Sequence, residues 1–509
     1  MPSTQDESPR RPLSRRRALV FGFLSAFMIL GGIEAFIAHL EHIGDIETLT
    51  PTEGIQFVDK DLFQRDGPDF VTSPYGERSL AKQRFKADFE GWRAVLLGGS
   101  FIMGDPYEKP GFVPDESKTP GSIQSWLRDR LQATSPEESV DVLNFAAPAQ
   151  NSERVKQIGR IALKHRPDVL ILGTGNNEGA ITPHKFKIYL RRFAGFRLLW
   201  RTLRPANTDD IPTYVPQLGP RDELLAQYEQ NLRTLIEEAA KQETPVLLCV
   251  MPINLRDHWS IERLGALSSS KAVHYPEGPI WQELIRPLPP TEEERRVTEQ
   301  LQLVTELPPG EHGQYWTVRG IREMRLGQTE EAREHLGRFH SRCAAEGAQQ
   351  WVEGDTEGAI EAFSNCTTLG QRSALSWIGA ELWRQEDFEG ARKAWTAQVE
   401  INPSGRTRPS YNEIARRLGQ EYSHVFLAHL DDKAAEISPG GIPGEELYVD
   451  ACHMNWWGYA HMADAILEAL FTHNLGPEGA HLQPQRQTDK ETRAESWGLP
   501  PRGELRVHP

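Results

Sequence analysis

Five short apolar runs constrain this chain more than anything else in it: Ala94 to Leu97, Val140 to Phe145, Val169 to Leu172, Pro245 to Pro252 and His424 to Ala428. They read as strands buried on both faces. Helical patterns stand between them, near Ser122 to Leu131 and over Ser152 to Lys164, Arg221 to Gln242 and Tyr411 to Gly419, and a last one, Trp457 to Phe471, follows. Strand and helix in alternation imply an α/β domain with a parallel sheet covered by helices on both faces.

The alternation is interrupted once. After Arg256 the chain passes through a proline-rich Ile285-Arg-Pro-Leu-Pro-Pro290 into a stretch, from about residue 292 to 402, with helical character and no strand signal. Leu375, Ile378, Gly379, Leu382, Ala391, Trp395 and Pro403 are spaced as in a tetratricopeptide helix pair, and a weaker unit holds Trp316, Gly320, Ala332 and Leu336. Either a repeat array of this kind or a generic helical insertion fits the pattern.

The N-terminus adds a second constraint. Ala18 to Leu40 is apolar except for Glu34 and His39, long enough to cross a bilayer, and preceded by Arg10, Arg11, Arg15, Arg16 and Arg17. Acidic residues follow it and no Lys or Arg appears before Lys60, so the positive-inside rule places the N-terminus in the cytoplasm and the remainder outside it, in the periplasm if the cell is Gram-negative. A cleaved signal peptide would export the chain equally, but the small-x-small cleavage pattern is poor, which favours an uncleaved anchor. The expected organisation is therefore a basic tail (1–17), a transmembrane anchor (18–40), a stalk (41–88), an α/β domain in two parts (89–257 and 406–474) around a linker and helical insertion (258–405), and a disordered tail (475–509). The Phe186 to Trp200 segment, rich in Phe, Leu and Arg, reads as a packed helix, a lid or a membrane-surface element.

A formal charge of −15 excludes nucleic acid as a partner, since phosphate binding needs clustered Lys and Arg. Four cysteines are present. Cys343 and Cys366 lie in one helical region and could pair, while Cys249 sits inside an apolar strand as a buried thiol. No CxxC or His-rich ligand pattern occurs, so neither metal nor cofactor is expected.

Four short blocks lie near the C-terminal ends of strands, where open α/β sheets place their sites. Gly98-Gly-Ser100 is a turn that presents a hydroxyl at its tip. Asn144 to Ser152 carries small residues and Pro148, suiting a loop whose backbone N–H groups approach a ligand, and Leu172-Gly-Thr-Gly-Asn-Asn-Glu178 follows the next strand. Asp450-x-x-His453 places a carboxylate one turn from an imidazole, so that it can hold the ring in one tautomer. A serine hydroxyl becomes a competent nucleophile when a neutral imidazole can take its proton, and a carboxylate stabilises the charge that develops.

In order and spacing these blocks resemble those of the SGNH, or GDSL-type, hydrolases, which supply Ser, Gly, Asn and His in succession. Arg166-Pro-Asp-Val-Leu170 and Asn455-Trp-Trp-Gly-Tyr459 fit the same pattern, and the whole resembles a membrane-anchored subgroup with tetratricopeptide-like helices inserted before the His block. The resemblance implies a flavodoxin-like, three-layer α/β/α sheet and an ester-cleaving enzyme without a cofactor. It makes Ser100 the nucleophile, His453 the general base and Asp450 its orienting carboxylate, with an oxyanion hole of the Ser100 and Ala149 backbone N–H groups and the Asn177 side chain.

Three positions depart from the family pattern: Gly99 stands for the usual Asp, Ala149 for the oxyanion Gly and Glu178 for the usual Asp. The second is tolerable if the loop keeps φ below zero there. The expected substrate is an acylated small molecule, lipid or polysaccharide. O-acyl transfer to an envelope polysaccharide uses the same triad, and a catalytically inert scaffold that binds a protein through its helical insertion is the reading from another class.

Overall fold

The computed structural model describes residues 15–43, 62–73, 76, 80, 82–108, 120–178, 193–203, 221–256, 342–365, 374–401, 405–478 and 489–502. They fall into two compact units, one formed by residues 1–60 with 181–215 and the other by residues 61–180 with 216–509.

The larger unit is an α/β domain. Three short antiparallel strands, β1 (Phe63–Asp66), β2 (Asp69–Thr72) and β3 (Arg84–Lys86), precede a five-stranded parallel sheet of β4 (Trp92–Gly98), β5 (Val140–Asn144), β6 (Val169–Gly173), β7 (Val246–Val250) and β8 (Val425–His429). The order in that sheet is β5-β4-β6-β7-β8, and every neighbouring pair is parallel. Counting from β4, this is a 2-1-3-4-5 order, whose reversal lies at β4, between β5 and β6. Crevices at such a reversal, at the carboxyl ends of the strands, are where open α/β sheets bind ligands.

All seven residues of β4 are buried, which explains why its sequence is a continuous apolar run rather than an alternating one. Alternate side chains leave it on opposite faces. Ala94 and Leu96 enter a core cluster with Trp126 and Leu127 of helix α3 (Ile123–Thr134) and with Trp456, Tyr459 and Ile466 of helix α13 (Trp456–Thr472). Helix α4 (Ser152–Leu163) packs against α6 (Arg221–Ala240), and a β-carbon at Gly159 would come within 2.6 Å of Leu235 Cδ1, so glycine sets how closely these helices approach.

The interruption between β7 and β8 contains two packed helix pairs among its described residues: α7 (Arg342–Val352) with α8 (Thr356–Ser364), and α9 (Ala374–Arg384) with α10 (Phe388–Ile401). Gly379 faces the Trp395 ring so closely that a β-carbon there would lie 2.6 Å from Nε1. Trp316, Gly320, Ala332 and Leu336 lie outside the described residues, as does Cys366. Helices α11 (Pro409–Glu421) and α12 (Leu430–Glu436) flank β8.

Two expectations are corrected. Part of the expected stalk is folded: β1 to β3 pair in register, Phe63 packs on Phe145 with centroids 4.4 Å apart, and the Asn144 N–H donates to Gln83 Oε1 at 2.8 Å. Strands of three or four residues carry too little periodicity to stand out in a sequence. Part of the expected disordered tail is helical. Helix α14 (Lys490–Ser496) is capped by Asp489, Arg493 pairs with Asp129 at 3.0 Å, and Trp497 packs on Trp126 at 4.5 Å. A polar composition concealed these few anchoring side chains.

In the smaller unit, helix α1 (Arg15–Ile43) packs on helix α5 (Ala194–Leu203). Phe23 to Leu40 is long and apolar enough to cross a membrane, and none of that window is buried within the protein.

Candidate active site

At the end of β4 the chain turns at Gly99 and enters the four-residue helix α2 (Ser100–Met103), with Ser100 as its first residue. Ser100 is 7% exposed. The His453 Nε2 atom lies 2.7 Å from Ser100 Oγ, although 353 positions separate the two in sequence. On the other side of the ring, His453 Nδ1 lies 2.6 Å from Asp450 Oδ2. The second carboxylate oxygen, Oδ1, accepts the backbone N–H groups of Cys452 at 2.8 Å and His453 at 2.7 Å. The three-residue spacing thus works as a small turn in which Asp450 holds both the ring and the backbone that carries it.

Burial alone would keep the imidazole neutral, but the hydrogen bond to Asp450, the neighbouring Cys452 and the Asp450 charge together prevail and hold the His453 pKa above the usual histidine value. Asp450 is itself held below the usual carboxylate range: desolvation pushes it up, and the contacts to His453 and to the two backbone amides outweigh that. Each member of the pair favours the charged form of the other.

The loop after β5 is tied to β4 by the Phe145 N–H on Leu96 O at 2.9 Å and the Ala147 N–H on Gly98 O at 3.1 Å. Ala149 in this loop has φ of +54°, so the condition that it keep a negative φ is not met. A glycine would take this conformation freely, whereas alanine holds it against its own β-carbon.

After β6, Asn177 is 8% exposed, and its Nδ2 is buried without a hydrogen-bond partner among the described residues. An orphaned buried donor is costly unless something arrives to accept from it. It points toward the serine turn, because a β-carbon built on Gly99 would stand 2.6 Å from this nitrogen.

Several further residues hold these loops in place. Glu178 accepts the Ser152 N–H at 2.7 Å and its hydroxyl at 2.8 Å, joining the Asn177 block to the start of α4. Its burial pushes its pKa up to about 7 despite these donors. Thr407 Oγ1 donates to Asn176 Oδ1 at 2.8 Å, and Asn254 Nδ2 donates to the Asp450 carbonyl at 2.9 Å. Arg406, 1% exposed, donates to the Asn254 carbonyl at 3.0 Å and to Gln398 Oε1 of α10 at 2.9 Å. The residues leaving the helical insertion therefore brace both the Asn block and the Asp450 loop. Their only signal in the sequence is a polar Arg406-Thr-Arg408 run ahead of Pro409.

Asp450, Cys452 and His453 place one ligand atom each within 4.8 Å of one another, but the carboxylate and the ring are already engaged with each other. The arrangement as a whole has a hydroxyl poised to lose its proton to an imidazole, and an unpaired donor beside it.

Among proteins of known structure, this chain is similar to an α/β hydrolase from the metagenome of Lake Arreo, Spain, at 11% identity over 75% of this chain and 96% of that one, with a TM-score of 0.31. It is also similar to a protein from Desulfitobacterium hafniense described as lipolytic and of the G-D-S-L family, at 14% identity over 35% of this chain and 72% of that one, TM-score 0.19. An acetylxylan esterase from Geobacillus stearothermophilus matches at 16% identity over 35% of this chain and 68% of that one, TM-score 0.20. No family model and no curated protein matches. Likenesses this remote leave the chemistry to be argued from the site itself.

Proposed function

We propose that this protein is a serine esterase or deacylase of the SGNH type, with a three-layer α/β/α catalytic domain tethered to a membrane by its N-terminal helix and facing away from the cytoplasm. The observation that carries the reading is the continuous contact from Asp450 through His453 to Ser100, with the unpaired Asn177 amide directed at the same turn.

The reaction begins with transfer of the Ser100 Oγ proton to His453 Nε2 as the oxygen attacks the ester carbonyl carbon. Negative charge collects on the former carbonyl oxygen, where the Asn177 amide and the backbone N–H groups of Ser100 and Ala149 receive it. Donors placed in this way typically lower the barrier by about 3 kcal/mol each. The imidazolium, stabilised by Asp450, returns the proton to the leaving alkoxide, and the C–O bond to the alcohol breaks to leave an acyl group on Ser100. Water then repeats the cycle with His453 as base and releases the acid. A sugar hydroxyl in the place of water would make the same reaction an O-acyl transfer. The substrate class is an acylated carbohydrate or lipid, and the helical insertion offers a tetratricopeptide-like surface for a protein partner.

The test is labelling with a fluorophosphonate probe together with hydrolysis of an aryl acetate. Wild type should form an adduct and turn over, and Ser100→Ala should do neither while retaining its circular dichroism spectrum. Failure of the folded wild type to label would overturn the reading and leave an inert scaffold. Release of acid compared with acylation of an added polysaccharide separates hydrolysis from transfer.

A further inference from the structure

The smaller unit contains a carboxylate in an apolar helix. Glu34 lies six residues before the end of the Phe23 to Leu40 window, about 9 Å along a helix axis. A charged residue at that depth needs a partner, and such residues mark functional contacts in membrane segments. Here the partner is the start of α5. The backbone N–H of Ala194 donates to Glu34 Oε1, and that of Gly195 donates to Oε2 at 2.9 Å. The two carboxylate oxygens satisfy two of the N–H groups that a helix start leaves unbonded, with the charge at the favourable end of the helix dipole. Gly195 permits the approach: a β-carbon there would lie 3.1 Å from Glu34 Oε2 and 3.5 Å from Ile37 Cδ1.

Two further observations say what surrounds this pair. Among the described residues, the large hydrophobic side chains left exposed are nine on α1 and two beside or on α5, Phe193 at 40% and Leu199 at 55%. Among the described residues of the larger unit there is none, so within that set α5 shares its apolar exposure with α1. The segment is also basic in an acidic protein. Residues 179 to 208 contain no Asp or Glu, while seven Lys and Arg fall between Lys185 and Arg204, in a chain whose net charge is −15. Basic and apolar character together, at a depth of about 5–10 Å, is how an interfacial helix sits on an anionic bilayer.

We infer that α5 is a second membrane contact, an interfacial helix fastened to the anchor by Glu34 and seated among acidic phospholipid headgroups. The inference rests on the reading of α1 as a membrane anchor. It gives α5, which lies between β6 and α6 in chain order, a place on the bilayer.

The full chain in nanodiscs containing phosphatidylglycerol with a diazirine in its acyl chain provides the test, with photo-adducts mapped by peptide mass spectrometry. Adducts should appear on α1 and on residues 193–203. In Glu34→Ala, which makes α1 more apolar and leaves it inserted, adducts on 193–203 should fall several-fold while those on α1 persist. The same diazirine on phosphatidylcholine should label 193–203 several-fold less. Adducts on α1 alone in the wild type would overturn the second contact and leave the anchor standing, whereas adducts on neither would overturn the anchor itself. Unchanged labelling of 193–203 in Glu34→Ala would remove Glu34 as the fastening, and equal labelling by both lipids would remove the preference for acidic headgroups.

Discussion

The amide nitrogen of Asn177 stands 2.6 Å from the place where a β-carbon on Gly99 would be, and it has no hydrogen-bond partner among the described residues. The absence of a side chain at position 99 is therefore what lets the amide reach the serine turn. Gly99→Ala should push it aside and lower kcat on an aryl acetate by about ten-fold or more with little change in KM, and Asn177→Ala should cost about 10²–10³ in kcat. Steady-state kinetics with the melting temperature as a folding control would check both. An unchanged kcat in Gly99→Ala would separate Asn177 from the reaction.

The His453–Asp450 contact sets the direction of the pH dependence. A general base must be neutral, and Asp450 raises the His453 pKa, so kcat/KM should rise with pH through a value above the ordinary 6.5 of histidine. Asp450→Asn removes the Asp450 charge and leaves only the effect of Cys452. The acidic limb of the profile should move to lower pH, and kcat should fall by about 10⁴ as the tautomer is lost. A limb that does not move would show that another group controls it.

Ala149 is held at φ of +54°. Ala149→Gly should relieve about 1 kcal/mol of backbone strain, offset in part by the greater freedom of glycine in the unfolded chain, and leave activity intact because the proposed donor is the backbone N–H. Ala149→Val should be markedly less stable. Thermal melts of the three proteins, with aryl acetate hydrolysis alongside, give the comparison.

Glu178 is buried, and its pKa rises from 4.5 to about 7. An acid whose pKa is raised on folding holds its proton more tightly in the folded state, so stability is fully retained below pH 4.5 and falls as pH rises to about 7. Glu178→Gln removes this titration. It should flatten the fall and make the protein more stable at pH 8 by at most about 3 kcal/mol, while the amide oxygen still accepts the Ser152 N–H. Denaturant unfolding of both proteins at pH 5 and pH 8 measures the difference.

The parallel sheet was legible because its three inner strands, β4, β6 and β7, are buried on both faces. The runs at Ala94–Leu97 and Val169–Leu172 fall within β4 and β6, and the helix expected at Trp457–Phe471 lies inside α13. The same logic put Ser100 and Asn177 just beyond β4 and β6, whereas Asp450 and His453 do not stand at a strand end: helix α12 separates them from β8. What the apolar pattern could not register was structure built on single contacts, such as the short strands before β4, the tail helix held by Arg493 and Trp497, and the Arg406–Asn254–Asp450 brace.

The residue types and their order along the chain determined the class of sheet and which side chains had the chemistry to act together. Only the tertiary structure decided that they meet. A separation of 353 residues carries no distance, and 2.7 Å between Ser100 and His453 exists because the insertion leaves and re-enters the sheet at neighbouring strands, β7 and β8. Packing likewise decided that Gly99 is the space into which the Asn177 amide fits, and that Glu34 meets the start of α5.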